Sequence, residues 1–218
     1  MFNFDARPPE IIFAIFFSFI IATTIHEFMH AWTAKQLGDD TAERLGRVTF
    51  NPVMHFEPFG LIGMFLISIG VPAIGWGKPV PVNPSRLRAV RGRGQLGMGI
   101  VALAGPVSNV VQAGIIALGL RAASSSGIDL GSLRFYLEWF VWVNILLASF
   151  NMIPIPPLDG HKILMAVLPN FWYPVLAPLE RYGFIILLVL IFVGGSAGAS
   201  VISAMISPMR DLLLGIMF

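Results

Sequence analysis

The chain has few charged residues and no cysteine, and both shortages restrict what it can be. Only 12% of its 218 residues are Asp, Glu, Lys or Arg, whereas 56% are hydrophobic, and the mean hydropathy is +0.79. Soluble domains are about a quarter charged, so this composition predicts an integral membrane protein. The absence of cysteine excludes disulfides and thiolate metal ligands. A net charge of +2 is too small to indicate a nucleic-acid partner.

Four long apolar stretches have roughly the 20 residues that a helix needs to cross a bilayer. They are Ile11–Ala34, Leu96–Leu120, Leu133–Ile153 and Gly183–Ile206. The last contains the small residues Gly194–Gly198, which suit a close-packing face or a break. We therefore expect an all-α polytopic membrane protein with about four long transmembrane helices, in which residues 1–218 form a single membrane-embedded domain.

Two shorter apolar stretches lie between the long ones. Phe59–Ala73 leads into a sequence rich in Gly and Pro, Gly75–Val82, whose alternating valines suit a strand or hairpin. Ile163–Leu179 contains three prolines, so we expect a broken helix or a segment at the membrane interface.

The most informative feature is His26-Glu27-Phe28-Met29-His30, at the end of the first apolar stretch. Histidines four residues apart project from one face of a helix, so both rings can reach one metal ion. The glutamate between them would lie beside the metal, where it can take a proton from an activated water. Ionisable side chains are costly inside a membrane, so the cluster predicts a functional site. Interhelical hydrogen bonds to the two rings are the alternative.

The best acidic candidate for a third ligand is Asp159, which follows the third long stretch. If Asp159 and the histidines bind one ion, the first and third helices must run parallel and end at the same depth. Phe59–Ala73 must then be a re-entrant segment, which enters and leaves the membrane on one side.

Basic residues provide an independent test of this topology. The topology places ten lysines and arginines on one side of the membrane and four on the other, and the more basic side is normally cytoplasmic. Both termini would then face outward, and the metal would lie towards the cytoplasmic leaflet. The ten are Lys35, Arg44, Arg47, Lys78, Arg86, Arg88, Arg91, Arg93, Lys162 and Arg181, and the four are Arg7, Arg121, Arg134 and Arg210.

These motifs resemble those of the site-2 protease family of intramembrane zinc metalloproteases. His26–His30 matches the family's HExxH, and Asn151–Gly160 matches its second signature, an Asn followed eight positions later by the Asp of a proline-rich LDG motif. Asn51–His55 and Ala104–Asn109 are weaker matches. The matching motifs extend over most of the chain between Ile11 and Lys162.

The resemblance implies cleavage of the transmembrane segments of membrane proteins in a prokaryotic plasma membrane, with one zinc ion on His26, His30 and Asp159. Glu27 would be the general base, and Asn151 would hold the substrate backbone or the developing oxyanion. Gly75, Trp76 and Gly77 resemble the family's re-entrant segment, whose edge would pair with an unwound substrate. Asn109 would contribute to substrate binding. A regulatory partner or an oligomer is compatible with the sequence, which identifies neither.

Several of these residues have a structural alternative. Asp159 could cap the helix that follows it, and His55 or His161 could replace it as the third ligand. Asn109 could make an interhelical hydrogen bond, and Gly75–Gly77 could be a surface turn with an interfacial tryptophan. Gly105-Pro106 suits a kink in its own helix and a close approach to a neighbouring helix.

The chain also differs from better-known members of that family. The connection from Arg121 to Arg134 is too short for a PDZ domain, and no cystathionine-synthase-type domain follows the last helix. We therefore expect a minimal, core-only member.

Two other functions compete with the protease. A prenyl-protein peptidase would use a glutamate as its third ligand, but Glu43, Glu57, Glu138 and Glu180 have no matching helical motif. A metal transporter or metal-dependent binding protein would line a path with polar residues, and the long helices carry almost none beyond the one cluster.

Overall fold

A computed structural model describes residues 7–87, 94–193 and 195–217. The described residues form eight α-helices and no β-strand. The helices are α1 (Pro9–Gln36), α2 (Thr41–Arg44), α3 (Pro58–Ser68), α4 (Gly94–Ser125), α5 (Ser132–Asn151), α6 (Asp159–Val167), α7 (Tyr173–Leu188) and α8 (Gly195–Met217). The prediction of an all-helical membrane protein is confirmed, because α1, α4 and α5 are each long and apolar enough to cross a bilayer.

The ends of α1 follow local rules of helix formation. Pro9 occupies the first turn, where a missing N–H costs nothing, and the acidic Glu10 and basic Lys35 lie at the ends whose partial charges they complement. The chain turns away at Gly38, whose φ of 102° suits glycine.

The three spanning helices alternate in direction. α1 and α4 are antiparallel, since Asn109 contacts Ala22 while Val101, earlier in α4, contacts His30. α4 and α5 are also antiparallel, and small residues allow them to pack closely. Their shared core consists of Ala113, Ala117, Leu120, Val141, Ile145 and Ala148. α1 and α5 therefore run parallel, as the shared metal site requires.

The predicted re-entrant segment contains α3 and an extended return. Eleven residues of helix rise about 16 Å, roughly half the hydrocarbon thickness. Arg7, which precedes α1, donates hydrogen bonds to the carbonyls of Ile67 and Ser68 at the end of α3. The chain then turns at Gly70, with a φ of 89°, and runs back along α3. Its Lys78 N–H donates to the His55 carbonyl before α3, over 2.7 Å.

The prediction of short β-structure in this return is not confirmed. Residues 71–83 have no regular secondary structure, and no neighbouring segment pairs with them in a ladder within the described chain. Close packing on α3 replaces strand pairing: a Cβ at Gly60 or Gly63 would collide with the carbonyls of Trp76 or Ile74.

The fourth spanning helix is also not confirmed. The residues assigned to it, 183–206, are divided among α7, a π-helical turn at Val189–Val193 and α8, while Gly194 lies outside the described residues. The predicted broken helix corresponds to α6, a 3₁₀ turn at Asn170–Trp172 and the start of α7. Arg88, Arg91 and Arg93, which contribute to the charge count, lie outside the described residues.

Candidate metal and catalytic site

Three potential ligand atoms from α1 and α6 lie close together. Nε2 of His26 is 3.0 Å from Nε2 of His30, and Asp159 Oδ2 is 3.1 and 3.2 Å from these two atoms. Ligand atoms about 2.0–2.1 Å from a tetrahedral zinc ion lie roughly 3.3 Å from one another. The triangle therefore has the size that a zinc site requires, and all three residues are buried.

The hydrogen bonds of the other ring nitrogens suit both histidines to binding a metal. Nδ1 of His26 lies 2.6 Å from the Asn109 side-chain oxygen, and Nδ1 of His30 lies 2.7 Å from the Val101 carbonyl. Both partners are acceptors, so a neutral ring at either position donates its proton from Nδ1 and presents a lone pair at Nε2. With both rings neutral, two lone pairs and a carboxylate oxygen face one another, which is the donor set that a metal ion requires.

A glycine leaves the space beside the histidines open. A Cβ on Gly105 of α4 would lie 2.5 Å from Nε2 of His26 and 2.5 Å from Nε2 of His30. Any side chain at this position would therefore occupy the ligand cluster. The sequence predicted only close helix packing at Gly105-Pro106, and the structure gives the glycine a place in the site itself.

Asp159 is the first residue of α6 and does not cap it, because the N-cap position belongs to Leu158. The close approach of α6 to the end of α5 depends on the next residue: a Cβ on Gly160 would collide with the Met152 carbonyl oxygen. Lys162 lies one turn further, with Nζ 3.7 Å from Asp159 Oδ1, the oxygen that does not face the histidines.

A cavity of about 570 Å³ adjoins the cluster. Glu27 and Asn151 line it, as do Gly75, Trp76 and Gly77 of the return segment. The Asn151 side-chain N–H donates to the Leu147 carbonyl over 3.0 Å. A Cβ on Gly77 would lie only 2.9 Å from Glu27 Oε1, so the return segment passes directly over the Glu27 carboxylate.

Asn109 occupies a different place. It is fully buried against His26 and is not part of the cavity wall, so the structure shows the interhelical hydrogen bond that the sequence allowed as an alternative. His161, although buried, lies near Glu180. His55 donates from Nε2 to the Thr49 carbonyl, and burial lowers its pKa. Among the described residues, only His26, His30 and Asp159 form a group that could hold a metal.

Polar contacts hold the return segment beyond the cavity. Arg47 donates to the carbonyls of Lys78 and Pro79. The buried Asp39 carboxylate accepts the backbone N–H of Asn83 over 2.6 Å. At the other end, the Trp76 indole N–H donates to Glu57, and the Trp76 ring meets Phe184 of α7 edge-on, with centroids 6.2 Å apart.

Comparisons with known proteins agree with this site. The model of "Peptidase family M50" matches residues 121–194. A Bacillus subtilis protein named "Putative zinc metalloprotease YwhC" is 37% identical over 205 residues, which cover 89% of this chain and 86% of the relative. The chain belongs to peptidase family M50. It is therefore a membrane-embedded zinc metalloprotease, and the resemblance to site-2 proteases is confirmed.

More distant relatives have similar names. A Mycolicibacterium smegmatis protein, "Putative zinc metalloprotease Rip2", is 30% identical over 174 residues, or 79% of this chain and 64% of the relative. A Methanocaldococcus jannaschii protein, "Putative zinc metalloprotease MJ0611", is 39% identical over 85 residues, which cover 38% of this chain and 41% of the relative. No solved structure matches the chain. Membership of the M50 family does not support the alternative of metal transport.

Proposed function

We propose that His26, His30 and Asp159 hold the catalytic zinc and that Glu27 is the general base for peptide-bond hydrolysis. The observation that carries this proposal is the triangle of buried ligand atoms beside the cavity that Glu27 lines. Two imidazoles and one carboxylate leave a fourth position open, as in catalytic zinc sites. When bound, zinc supplies Lewis acidity, which lowers the pKa of a water to about 7.

Glu27 moves the proton in this mechanism. Its carboxylate lies in the cavity on the same helix as both histidines, so it faces the space where a peptide carbonyl would enter. It takes a proton from the attacking water and passes it to the leaving nitrogen.

Asn151 would stabilise the negative charge that develops on the carbonyl oxygen. One of its two N–H groups is used by the Leu147 carbonyl, which orients the amide and leaves the other N–H for the substrate. Removing such a donor typically lowers the rate by roughly 10²–10³.

The substrate would bind along Gly75, Trp76 and Gly77. No backbone hydrogen bond within the described chain uses the N–H or C=O groups of Ile74–Gly77. The Ile74 and Trp76 carbonyls lie against Gly63 and Gly60 of α3. Successive residues of an extended chain direct these groups to opposite sides. The N–H and C=O groups of Gly75 and Gly77 therefore face away from α3, where an unwound substrate can pair with them.

We infer that the substrates are transmembrane segments of other proteins and that the site opens towards the cytoplasm of a prokaryotic cell. The buried site on membrane-spanning helices supports the first inference, and the excess of basic residues on one side supports the second. We propose that residues 1–218 act as one membrane-embedded domain.

The decisive test is Glu27→Gln, because the amide keeps the size of the side chain and cannot accept the proton. Cleavage of a detergent-solubilised single-pass protein with a helix break in its transmembrane segment should fall by at least about 10². Zinc content should stay at the wild-type level. Glu43→Gln is the matched control, because Glu43 is exposed and pairs with Lys35. Wild-type cleavage by Glu27→Gln would show that Glu27 is not the base.

A further inference from the structure

A chain of three hydrogen bonds joins α5 to His26 through α4. Asn144 donates from Nδ2 to the Phe140 carbonyl over 2.9 Å, and Asn109 donates from Nδ2 to Asn144 Oδ1 over 2.8 Å. His26 then donates from Nδ1 to Asn109 Oδ1 over 2.6 Å. Both asparagines have 0% exposure, so no water competes for these groups.

The Phe140 carbonyl sets the direction of the whole chain, because a carbonyl oxygen can only accept. Asn144 must turn its NH₂ group to that carbonyl and its oxygen to Asn109. Asn109 must in turn present its NH₂ group to Asn144, over 2.8 Å, and its oxygen to His26. The Ala22 carbonyl of α1 accepts from the same NH₂ group only over 3.4 Å, so Asn144 is the closer of its two acceptors.

A reversed Asn109 amide would change the state of the imidazole. It would present an N–H to Nδ1 of His26, so Nδ1 would have to accept and the ring proton would move to Nε2. Nε2 is the atom that faces Asp159 and His30, and a protonated nitrogen has no lone pair for a metal. Only the observed orientation leaves His26 able to bind one.

We infer that Asn144 is a positioning residue for the zinc site: it fixes the amide orientation of Asn109 and thereby keeps Nε2 of His26 free of a proton. This inference rests on the proposed role of His26 as a zinc ligand. Asn144 is not part of the cavity wall and acts only through Asn109. Polar side chains within spanning helices are costly, and this role accounts for Asn144 in the apolar α5.

The experiment measures zinc affinity by competition with a chelator, and the visible spectrum of the Co²⁺-loaded protein. Asn144→Leu keeps the branched shape of the side chain but removes both hydrogen bonds, so zinc should bind about 10–100-fold more weakly and the Co²⁺ bands should shift. Ser149→Ala is the matched control on α5, because Ser149 is equally buried and its hydroxyl has no partner within the described residues. Its zinc affinity should equal that of the wild type.

A second background separates orientation from packing. In Asn109→Asp, the carboxylate offers only acceptors to His26, whichever way it turns. Adding Asn144→Leu to this background should therefore cost no further zinc affinity. Asn144→Ala replaces Asn144→Leu if the larger side chain prevents folding.

The outcomes distinguish the inference from the proposed function. An equal loss of affinity in both backgrounds would assign Asn144 a packing role and overturn the inference, as would an unchanged affinity in Asn144→Leu. Wild-type affinity in His26→Ala would instead overturn the ligand assignment, and the inference would fail with it.

Discussion

Asp159 Oδ2 lies 3.1 Å from Nε2 of His26, although 133 residues separate the two in the chain. The contact depends on the parallel arrangement of α1 and α5, because α6 begins just after α5 ends. Two helix ends at the same depth thus bring an imidazole pair and a carboxylate together, and α4 supplies the acceptors that orient both rings.

Replacing Gly105 by alanine should prevent zinc binding. The new Cβ would lie 2.5 Å from Nε2 of both His26 and His30, which is closer than carbon and nitrogen atoms can approach without bonding. Bound zinc in the purified protein, measured by elemental analysis, should fall to less than about a tenth of the wild-type level.

Gly119→Ala is the control for that substitution. Gly119 lies in the same helix, α4, and a Cβ there would meet nothing within 4 Å. Its zinc content should remain at the wild-type level, and the substitution should stabilise the helix by about 0.5–1 kcal/mol. Full zinc content in Gly105→Ala would contradict the arrangement of α4 beside the site.

Replacing Gly77 by alanine should slow cleavage without loss of zinc. A Cβ here would lie 2.9 Å from Glu27 Oε1 and 3.0 Å from Thr23 Cγ2, so the carboxylate or the return segment must move. A displaced base typically costs about 10² in rate. The test compares cleavage rate and zinc content in one preparation, and an unchanged rate would show that the segment does not pass close over Glu27.

The absence of cysteine allows a clean test of sidedness. Single cysteines at Ser85 and Ser126, both exposed, lie before the start of α4 and after its end. A membrane-impermeant thiol reagent should label Ser126→Cys in intact cells, and Ser85→Cys only after permeabilisation. The opposite pattern would place the site towards the outside.

The sequence allowed the spanning helices α1, α4 and α5 to be predicted within a few residues, because each is a long apolar run with local start or stop signals. The HExxH and LDG motifs also sufficed to group His26, His30 and Asp159 before any geometry was known. The prediction of the helices relies on hydropathy along the chain, which is a local property. The grouping of Asp159 with the two histidines relies on the resemblance that the two motifs carry.

The features that local patterns do not determine were harder to predict. The extended return looked like a strand because its valines alternate, but its neighbour is the glycine face of α3. The last long apolar stretch contains breaks that depend on packing. Asn144 carried a usable signal, since it is an amide in the apolar middle of a spanning helix, but its partner Asn109 becomes evident only when α4 and α5 are placed side by side.

Zinc content of the wild type beside Asp159→Ala tests the central claim most directly, because it addresses the metal, its stoichiometry and the third ligand together. Asp211→Ala, which removes a carboxylate from an exposed ion pair, is the control. We predict one zinc per chain in the wild type and in Asp211→Ala, and less than about a tenth of that in Asp159→Ala. One zinc per chain in Asp159→Ala would contradict the account.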